Sequence, residues 1–236
     1  MADNDITDDP FVVDYDDLTL FNGHVEGRHF GRRKAVDVRL MNAEFINCTF
    51  DHWTVRNITR VGPDSYARFI GCTFSHLRAS YMRTGGVEYI NCQFKDAIVK
   101  RWDLTRGTWR NCTFTGTIRE GVVWGYAHTS PDHEPNECVG NDFSGLSYCG
   151  LEFRGGVDLS ANSLPTGDDY VLIHDAAHRL THVRDHAHHT SDHQVEVLAS
   201  LALDNAVLGP GQEPYFLFRL PDVNHADWRR FVEQVQ

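Results

Sequence analysis

The amino-acid sequence predicts a mainly β protein in which a solenoid of four-sided coils is followed by a unit rich in α-helix. Three observations lead to this fold class: a short motif recurs about every 20 residues, apolar residues recur every five residues within it, and this period stops near residue 160. The chain of 236 residues is long enough to bury a sizeable core, and its composition, 41% hydrophobic and 23% charged, is that of an ordinary globular protein.

The recurring motif places a cysteine at the same point of each coil. Cys48, Cys72, Cys92 and Cys112 are 24, 20 and 20 residues apart. A fixed period of this length is typical of repeat architectures. A weaker fifth copy at 137–145 has Asn141 in the cysteine position. The four clear copies are AEFINCTF (43–50), ARFIGCTF (67–74), VEYINCQF (87–94) and GTWRNCTF (107–114).

Within each copy apolar residues recur every five positions, as in Leu40, Phe45, Phe50 and Val55. An α-helix cannot keep such residues on one face, because five residues turn by about 500°. A flat strand cannot either, since an odd step changes sides. A coil with four five-residue sides satisfies both periods, because the centre of each side and the residue two before it point inward. Stacked coils then align aromatic residues into columns about 4.8 Å apart, which we expect to form the core.

These residues resemble the pentapeptide repeat family, whose pattern is a small residue, a polar residue, Leu or Phe, and two further positions. The resemblance covers 18–160 and implies a right-handed quadrilateral β-helix of about six coils. It also implies action by protein–protein contact, since members that confer quinolone resistance bind DNA gyrase by imitating duplex DNA. The matching segments are LTLFN (18–22), CTFDH (48–52), CTFSH (72–76), CQFKD (92–96) and CTFTG (112–116).

Residues 161–236 are predicted to form an α-rich unit with the order helix, helix, strand, helix. Asp168 or Asp169 is expected to cap a first helix over 170–189, and a capping box of Ser191 and Gln194 is expected to begin a second helix that ends near Gly209. Residues 215–220 are expected to form a strand. The last helix is expected to be capped by Asp222 or Asn224. The apolar stripe expected on the first helix is Leu172, Ala176, Leu180, Val183 and Ala187.

Histidines occupy the opposite face of the first predicted helix, and four of them are candidate metal ligands. Histidines four residues apart can chelate a divalent ion through neutral imidazoles, which favours Zn or Ni as an adventitious ligand rather than a required cofactor. The Glu of a zinc hydrolase motif is missing, so a metalloprotease is not expected. A solvated face that gains charge at low pH is the alternative. The candidate ligands are His174, His178, His182 and His186.

The formal net charge of -11 is distributed unevenly along the chain. Residues 1–17 carry seven acids and no base, 18–160 have a net charge of +2, and 161–236 have a net charge of -6. We expect 1–17 to be a disordered acidic tail; the alternative is an arm that covers the basic patch formed by Arg32, Arg33 and Lys34. A further basic run consists of Lys95, Lys100, Arg101, Arg106 and Arg110.

The cysteines and the chain's hydropathy indicate a cytoplasmic protein. The four repeat cysteines are explained as small buried residues, so we expect free thiols and a reducing compartment, with Cys138 and Cys149 unassigned. No run of 18 apolar residues and no basic, apolar leader is found, so a membrane protein is not expected. The segment 126–137 interrupts the repeat, and either it is a tolerated surface loop or its residues Asp132, His133 and Glu134 bind a protein partner.

The sequence favours a binding protein over an enzyme, because it has no GxSxG, P-loop or GxGxxG motif. Our first hypothesis is a non-enzymatic protein-binding scaffold that serves in immunity or antibiotic self-protection. The alternative is a DNA-mimicking, gyrase-binding protein that dimerises through its C-terminal unit. Two features depart from that alternative: the coil region is nearly neutral, and the C-terminal unit has some 70 residues. Nucleic-acid binding is not expected at this net charge.

Overall fold

The computed structural model describes residues 9–62, 65–83, 86–104, 107–125, 136–147, 150–154, 157–206, 215–219 and 223–236. It is mainly β: a β-solenoid of about five turns, with three helices at the C-terminal end. This confirms the predicted fold class, and the number of turns is close to the six expected.

Each turn of the solenoid has four sides, which we number 1 to 4 in chain order. Side 2 contains the strands His24–Glu26, Ala43–Ile46, Ala67–Ile70, Val87–Ile90, Gly107–Arg110 and Glu137–Val139. Side 3 contains His29–Phe30, Thr49–Asp51, Thr73–Ser75, Asp142–Leu146 and the beginnings of two long strands, Gln93–Leu104 and Thr113–Trp124. These two and Arg33–Met41, Trp53–Arg60 and Arg78–Arg83 run through sides 4 and 1. Side 1 also contains Asp17–Phe21 and Leu151–Arg154.

Neighbouring coils pair in parallel with their repeats in register. Phe45 is opposite Phe69, and Phe50 is opposite Phe74. The rings stack nearly parallel, with centroids 4.9 Å apart for the first pair and 4.8 Å for the second. These distances equal the spacing of hydrogen-bonded strands, so the backbone ladder and the ring contacts stabilise the same register. The predicted aromatic columns are confirmed as the core.

The corners between sides are occupied by residues that tolerate a left-handed backbone. Asn42 and Asn47 have φ values of 48° and 53°, and His52 and His76 both have 55°. Asn, Asp and His adopt this conformation more readily than other side chains with a Cβ atom. The asparagines also form ladders between coils: the Asn42 amide donates to the Asn22 side-chain oxygen at 2.9 Å. Corner residues therefore stand in rows, like the residues of the core.

The repeat cysteines are buried, free thiols, as predicted. Each lies against a backbone carbonyl of the preceding coil; the Cys92 thiol, for example, donates to the Phe69 oxygen at 3.2 Å. Burial raises the pKa of the Cys138 thiol to about 12. Asn141 takes the cysteine position in the last copy, where it is 1% exposed and donates to the Trp109 carbonyl at 2.8 Å. Cys149 lies outside the described residues.

Residues 9–17 are folded against the solenoid, which differs from the disordered tail predicted over 1–17. Strand Val12–Asp14 pairs antiparallel with Asp17–Phe21. Phe11 is 5% exposed, and its ring lies 5.7 Å from that of Phe30 and 5.9 Å from that of Phe45. The open end of a solenoid exposes its core, and Phe11 covers it. The prediction of a tail followed the acids of this segment and gave no weight to Phe11; residues 1–8 lie outside the described part of the chain.

The C-terminal unit contains the helices α1 (Ala176–Thr190), α2 (His193–Ala206) and α3 (His225–Val235). A single-turn 3₁₀ helix, Leu159–Ala161, precedes it. The strand Tyr170–Ile173 pairs antiparallel with Tyr215–Phe218. Tyr215–Phe218 confirms the predicted strand, whereas 170–173 was wrongly assigned to the first helix. Those four residues, YVLI, alternate in burial as a strand does, and a partner some 45 residues later supplies their hydrogen bonds.

The helix caps also differ in part from those predicted. Helix α1 begins after Asp175, whose backbone is left-handed, and not at Asp168 or Asp169. Ser191 ends α1 with φ 59° and does not begin α2; the Asp192 side chain accepts from the Val195 amide at 3.4 Å. Asn224 caps α3 as predicted. Asp222 and the end near Gly209 lie outside the described residues.

A second core joins the helices of the C-terminal unit, and it includes Leu180, Val183 and Ala187 of the predicted stripe. Leu172, the first member of that stripe, is 38% exposed because it belongs to the strand. Tyr170 and Leu164 pack against the solenoid core and so help to cover its last coil. None of the helices described has the combined length and hydropathy that a membrane-spanning segment needs.

We predict that Phe11→Ala destabilises the solenoid by about 3 kcal/mol, since a buried phenylalanine contributes about that much and the substitution would uncover the core of the first coil. Urea unfolding followed by circular dichroism measures the change. Val13→Ala is the matched control, because Val13 is two residues away and 62% exposed. A Phe11→Ala variant as stable as Val13→Ala would mean that the N-terminal segment does not cap the solenoid.

Candidate functional site

Side 4 of the solenoid presents positive charge in five successive coils. Its strand positions are 33–36, 53–56, 78–80, 97–100 and 116–119, and no Asp or Glu is among them. The outward side chains alternate between cations and small polar or aliphatic residues. We call the exposed cations the basic face: Lys34, Arg56, Arg78, Lys100 and Arg119.

The basic face is formed by register and not by proximity in sequence. Lys34 is opposite Thr54, and Thr54 is opposite Arg78. Lys34 and Arg78 are therefore two coils apart, or about 10 Å at the strand spacing. Among the described residues, no carboxylate pairs with any of the five side chains. Arg78 donates instead to the backbone oxygen of Asp96 at 3.1 Å.

Charges on sides 1 and 2 are arranged differently, because cations there lie beside acids. On side 1 the Arg39 guanidinium lies 2.9 Å from the Asp17 carboxylate and 3.0 Å from that of Asp37. On side 2 Arg68 lies 2.7 Å from Glu88. Glu88 raises the pKa of Arg68, through a hydrogen bond and its charge. Arg39 and Arg68 are therefore neutralised within the protein, whereas the cations of side 4 are not.

A groove of about 430 Å³ lies at the N-terminal end of the basic face, where side 4 meets side 3. Its walls come from the first three coils. Four cations, two histidines and one threonine line it: Arg32, Arg33, Lys34, His52, Thr54, His76 and Arg78. The predicted basic patch is therefore brought together with Arg78, which is more than 40 residues away in sequence.

The three residues of the predicted patch have different surroundings. Arg33 is held by the protein: its guanidinium lies 2.5 Å from Asp9 and 5.7 and 5.6 Å from the ring centroids of Phe11 and Trp53. Arg32 and Lys34 are exposed, with no acidic partner among the described residues. Asp9 therefore reaches one residue of the patch and leaves the other two accessible to a ligand.

Two stacked histidines form the corner of the groove. The rings of His52 and His76 are 4.3 Å apart and 20° from parallel, because both occupy the same left-handed corner in successive coils. The Asp51 carboxylate lies 2.9 Å from Nδ1 of His52 and 3.6 Å from Nδ1 of His76. The hydrogen bond from His52 is the largest influence on Asp51, and it lowers the pKa of that carboxyl.

This corner is also the one place in the described chain where three potential metal ligands meet. The ligand atoms of Asp51, His52 and His76 lie within 4.8 Å of one another. Three imidazole or carboxylate ligands of this kind suit Zn²⁺ or a similar ion. The groove around them is lined by cations, however, so the field there opposes a second positive charge and attracts an anion.

The histidines of α1 do not form such a group. His178, His182 and His186 are exposed on the helix, and the rings of His182 and His186 are parallel with centroids 6.5 Å apart. His174 lies before α1 and not on it, because 170–173 is a strand. Metal binding by these residues stays a prediction.

The other basic residues predicted as a run are dispersed around the coil. Lys100 belongs to the basic face, whereas Lys95 is on side 3, Arg101 on side 1 and Arg110 on side 2. Arg106 lies outside the described residues, as does the proposed contact loop with Asp132, His133 and Glu134. Lys95, Lys100, Arg101 and Arg110 cannot all share one face, because the chain turns a corner about every five residues.

The histidine pair was missed by sequence reasoning, although its signal is visible. The repeats CTFDH and CTFSH end on His52 and His76, at the same corner of successive coils. Arg56, Arg78 and Arg119 were missed for a related reason. They come onto one face, in two neighbouring rows, only when the insertion near 58–61 and the shortened fifth coil, where Gly116 faces Ala97, are both placed.

We predict that removing cations from the basic face does not destabilise the protein. Unit charges about 10 Å apart repel by about 0.4 kcal/mol in water, and these cations have no acidic partners to lose. The melting temperature of Lys34→Gln/Arg56→Gln/Lys100→Gln should be equal or higher at 20 mM NaCl, with any gain lost at 500 mM NaCl. Arg39→Gln, which breaks two ion pairs, should lower it. A triple variant less stable than Arg39→Gln would assign the face a structural role.

Comparisons with family models, with curated proteins and with solved structures give no match to this chain.

Proposed function

We propose that this protein is a non-enzymatic binding protein whose basic face binds an acidic segment of a protein partner. One observation carries the proposal: five exposed cations in five successive coils lack acidic partners among the described residues, while Arg39, Arg68 and Arg101 of sides 1 and 2 lie beside acids. Leaving like charges in a row is unfavourable in the free protein. A partner that supplies the missing acids explains their retention.

The composition of the face favours a polypeptide over a nucleic acid. Thr54, Ser80 and Ile98 stand between the cations, and no aromatic side chain is available there for stacking of bases. The net charge of -11 on the whole chain repels a long polyanion that extends beyond the face. A short acidic segment would contact only the basic face. Its carboxylates can lie beside successive coils, because the spacing of side chains along an extended peptide is similar to the spacing between coils.

The proposal includes the pentapeptide-repeat resemblance and a role in immunity or antibiotic self-protection, in which the solenoid binds a toxin or an antibiotic target. The gyrase-binding alternative needs an acidic face that imitates the phosphates of duplex DNA. The outward charges favour it less: side 4 is basic, and Asp17, Asp37 and Asp103 of side 1 are paired with Arg39 or Arg101.

We predict that a fluorescent peptide of twelve glutamates binds in 50 mM NaCl, and that Arg56→Glu/Lys100→Glu weakens this binding at least tenfold. Fluorescence anisotropy measures both affinities. The matched control is Arg83→Glu/Arg229→Glu, which changes the net charge equally at exposed sites away from the basic face. The control should lose less than threefold.

Three further results bear on the proposal. Equal weakening by both double variants would show that only net charge matters, and would contradict a specific face. Tighter binding of a 20-base-pair duplex than of the glutamate peptide would replace the acidic polypeptide with nucleic acid. Inhibition of gyrase supercoiling that survives Arg56→Glu/Lys100→Glu would favour the DNA-mimic alternative.

A further inference from the structure

We propose that the groove at the end of the basic face is a binding site for a phosphoryl group. This proposal rests on the proposed function in one respect: the acidic partner would carry the phosphoryl group that binds at this end of the basic face. The residues that would bind the group are Arg32, Lys34, Thr54 and Arg78, with His52 and His76 beside them.

The shape and composition of the groove suit a tetrahedral oxyanion. The groove is concave, encloses about 430 Å³ and is lined from three coils, so donors approach from several directions. Two guanidinium groups offer paired N–H donors, which match the geometry of phosphate oxygens, and Lys34 adds a flexible point charge. Thr54 lies between Lys34 and Arg78 in register and offers a hydroxyl donor. The rest of the basic face is a flat strand surface, and it lacks this convergence.

The charges that face the groove leave it positive. Arg32, Lys34 and Arg78 have no carboxylate partner among the described residues. Asp51 is the carboxylate at the corner, 2.9 Å from His52. Asp96 stands at the rim, 73% exposed and 3.9 Å from Nε2 of His76. Arg33 does not add to the balance, because Asp9 pairs with it.

The two histidines are positioned to complete such a site. Both Nδ1 atoms face Asp51, so both rings are turned with Nε2 away from that carboxylate. Nδ1 of His76 is buried and lacks a hydrogen-bond partner within the described chain. The stacked pair therefore forms a fixed wall whose polar edges are not fully used by the protein.

A divalent metal at Asp51, His52 and His76 is the competing interpretation. The ligand atoms are close enough, but the three unpaired cations of the groove oppose a dication and favour a dianion. A phosphoryl group also fits better than a carboxylate, because it carries more charge and three acceptor oxygens. The positive charge of the residues that line the groove therefore favours a phosphoryl group over a divalent metal ion.

Titration calorimetry with phenyl phosphate and with inorganic phosphate, at pH 7.5 and low salt, tests the site in the full chain. We expect sub-millimolar binding that weakens at least tenfold in Lys34→Gln/Arg78→Gln. Arg56→Gln/Lys100→Gln, which removes two cations of the same face outside the groove, should change it less than threefold. Circular dichroism and melting curves confirm that both variants fold.

Further measurements distinguish a phosphorylated partner from free phosphate as the ligand. They also distinguish failure of the phosphoryl site from failure of the proposed function. A glutamate peptide with one phosphoserine that binds at least tenfold tighter than inorganic phosphate would identify a phosphorylated partner; equal affinities would identify free phosphate. Absent phosphate binding, or equal loss in both variants, overturns the site, and unchanged glutamate-peptide binding would show that the proposed function survives. Zn²⁺ binding that His52→Ala/His76→Ala abolishes, with no phosphate binding, would replace the anion by a metal.

Discussion

The parallel, in-register stacking of coils is the constraint on which the rest of the structure depends. Once strands of successive coils pair at about 4.8 Å, each position of the repeat becomes a row along the solenoid. Rows that point inward stack like groups, as Phe74 and Phe94 do at 4.7 Å. Rows that point outward place like residues equally close, which is favourable for threonine or asparagine and unfavourable for charge. The exterior must therefore alternate its signs or find its counter-charges elsewhere.

Both solutions are present in this protein, and their contrast indicates where it binds. Side 2 alternates, since Arg68 lies between Glu44 and Glu88 in register, and on side 1 Arg39 lies beside Asp17 and Asp37. Side 4 does not, and the like charges of Lys34, Arg56 and Lys100 face solvent. Because the chain as a whole has a net charge of -11, an acidic partner is attracted at the basic face and repelled elsewhere. The paired strands of the solenoid keep these cations in place despite their mutual repulsion, so no ligand is needed to position them.

The sequence was sufficient to predict the features that depend on the repeat. It was insufficient to predict the segments at the two ends of the solenoid. Period five with four cysteines determined the coils, the aromatic columns and the buried thiols, since each depends on local spacing alone. Phe11 was assigned to a tail because its partners, Phe30 and Phe45, come later in the chain. The strand Tyr170–Ile173 was taken for helix because its partner is supplied by 215–218. A site built across coils needs the register, which insertions alter and a linear scan does not show.

The basic patch illustrates the same limit at the level of the site. Arg32, Arg33 and Lys34 were recognised as neighbours in sequence and all line the groove, but Arg33 is paired with Asp9 of the N-terminal segment. Their spatial neighbour Arg78 and the stacked pair His52 and His76 come from later coils. To find charge clusters in a solenoid, one should therefore compare residues one coil apart in the sequence and not only residues that are adjacent.

Zero-length carbodiimide cross-linking to the glutamate peptide, with the linked residues mapped by mass spectrometry, tests the central claim most directly. The chain has three lysines, all exposed: Lys34 and Lys100 on the basic face, and Lys95 on side 3 as an internal control. If side 4 binds acidic segments, Lys34 and Lys100 are cross-linked and Lys95 is not. Equal labelling of all three, or labelling of Lys95 alone, would contradict a binding face on side 4.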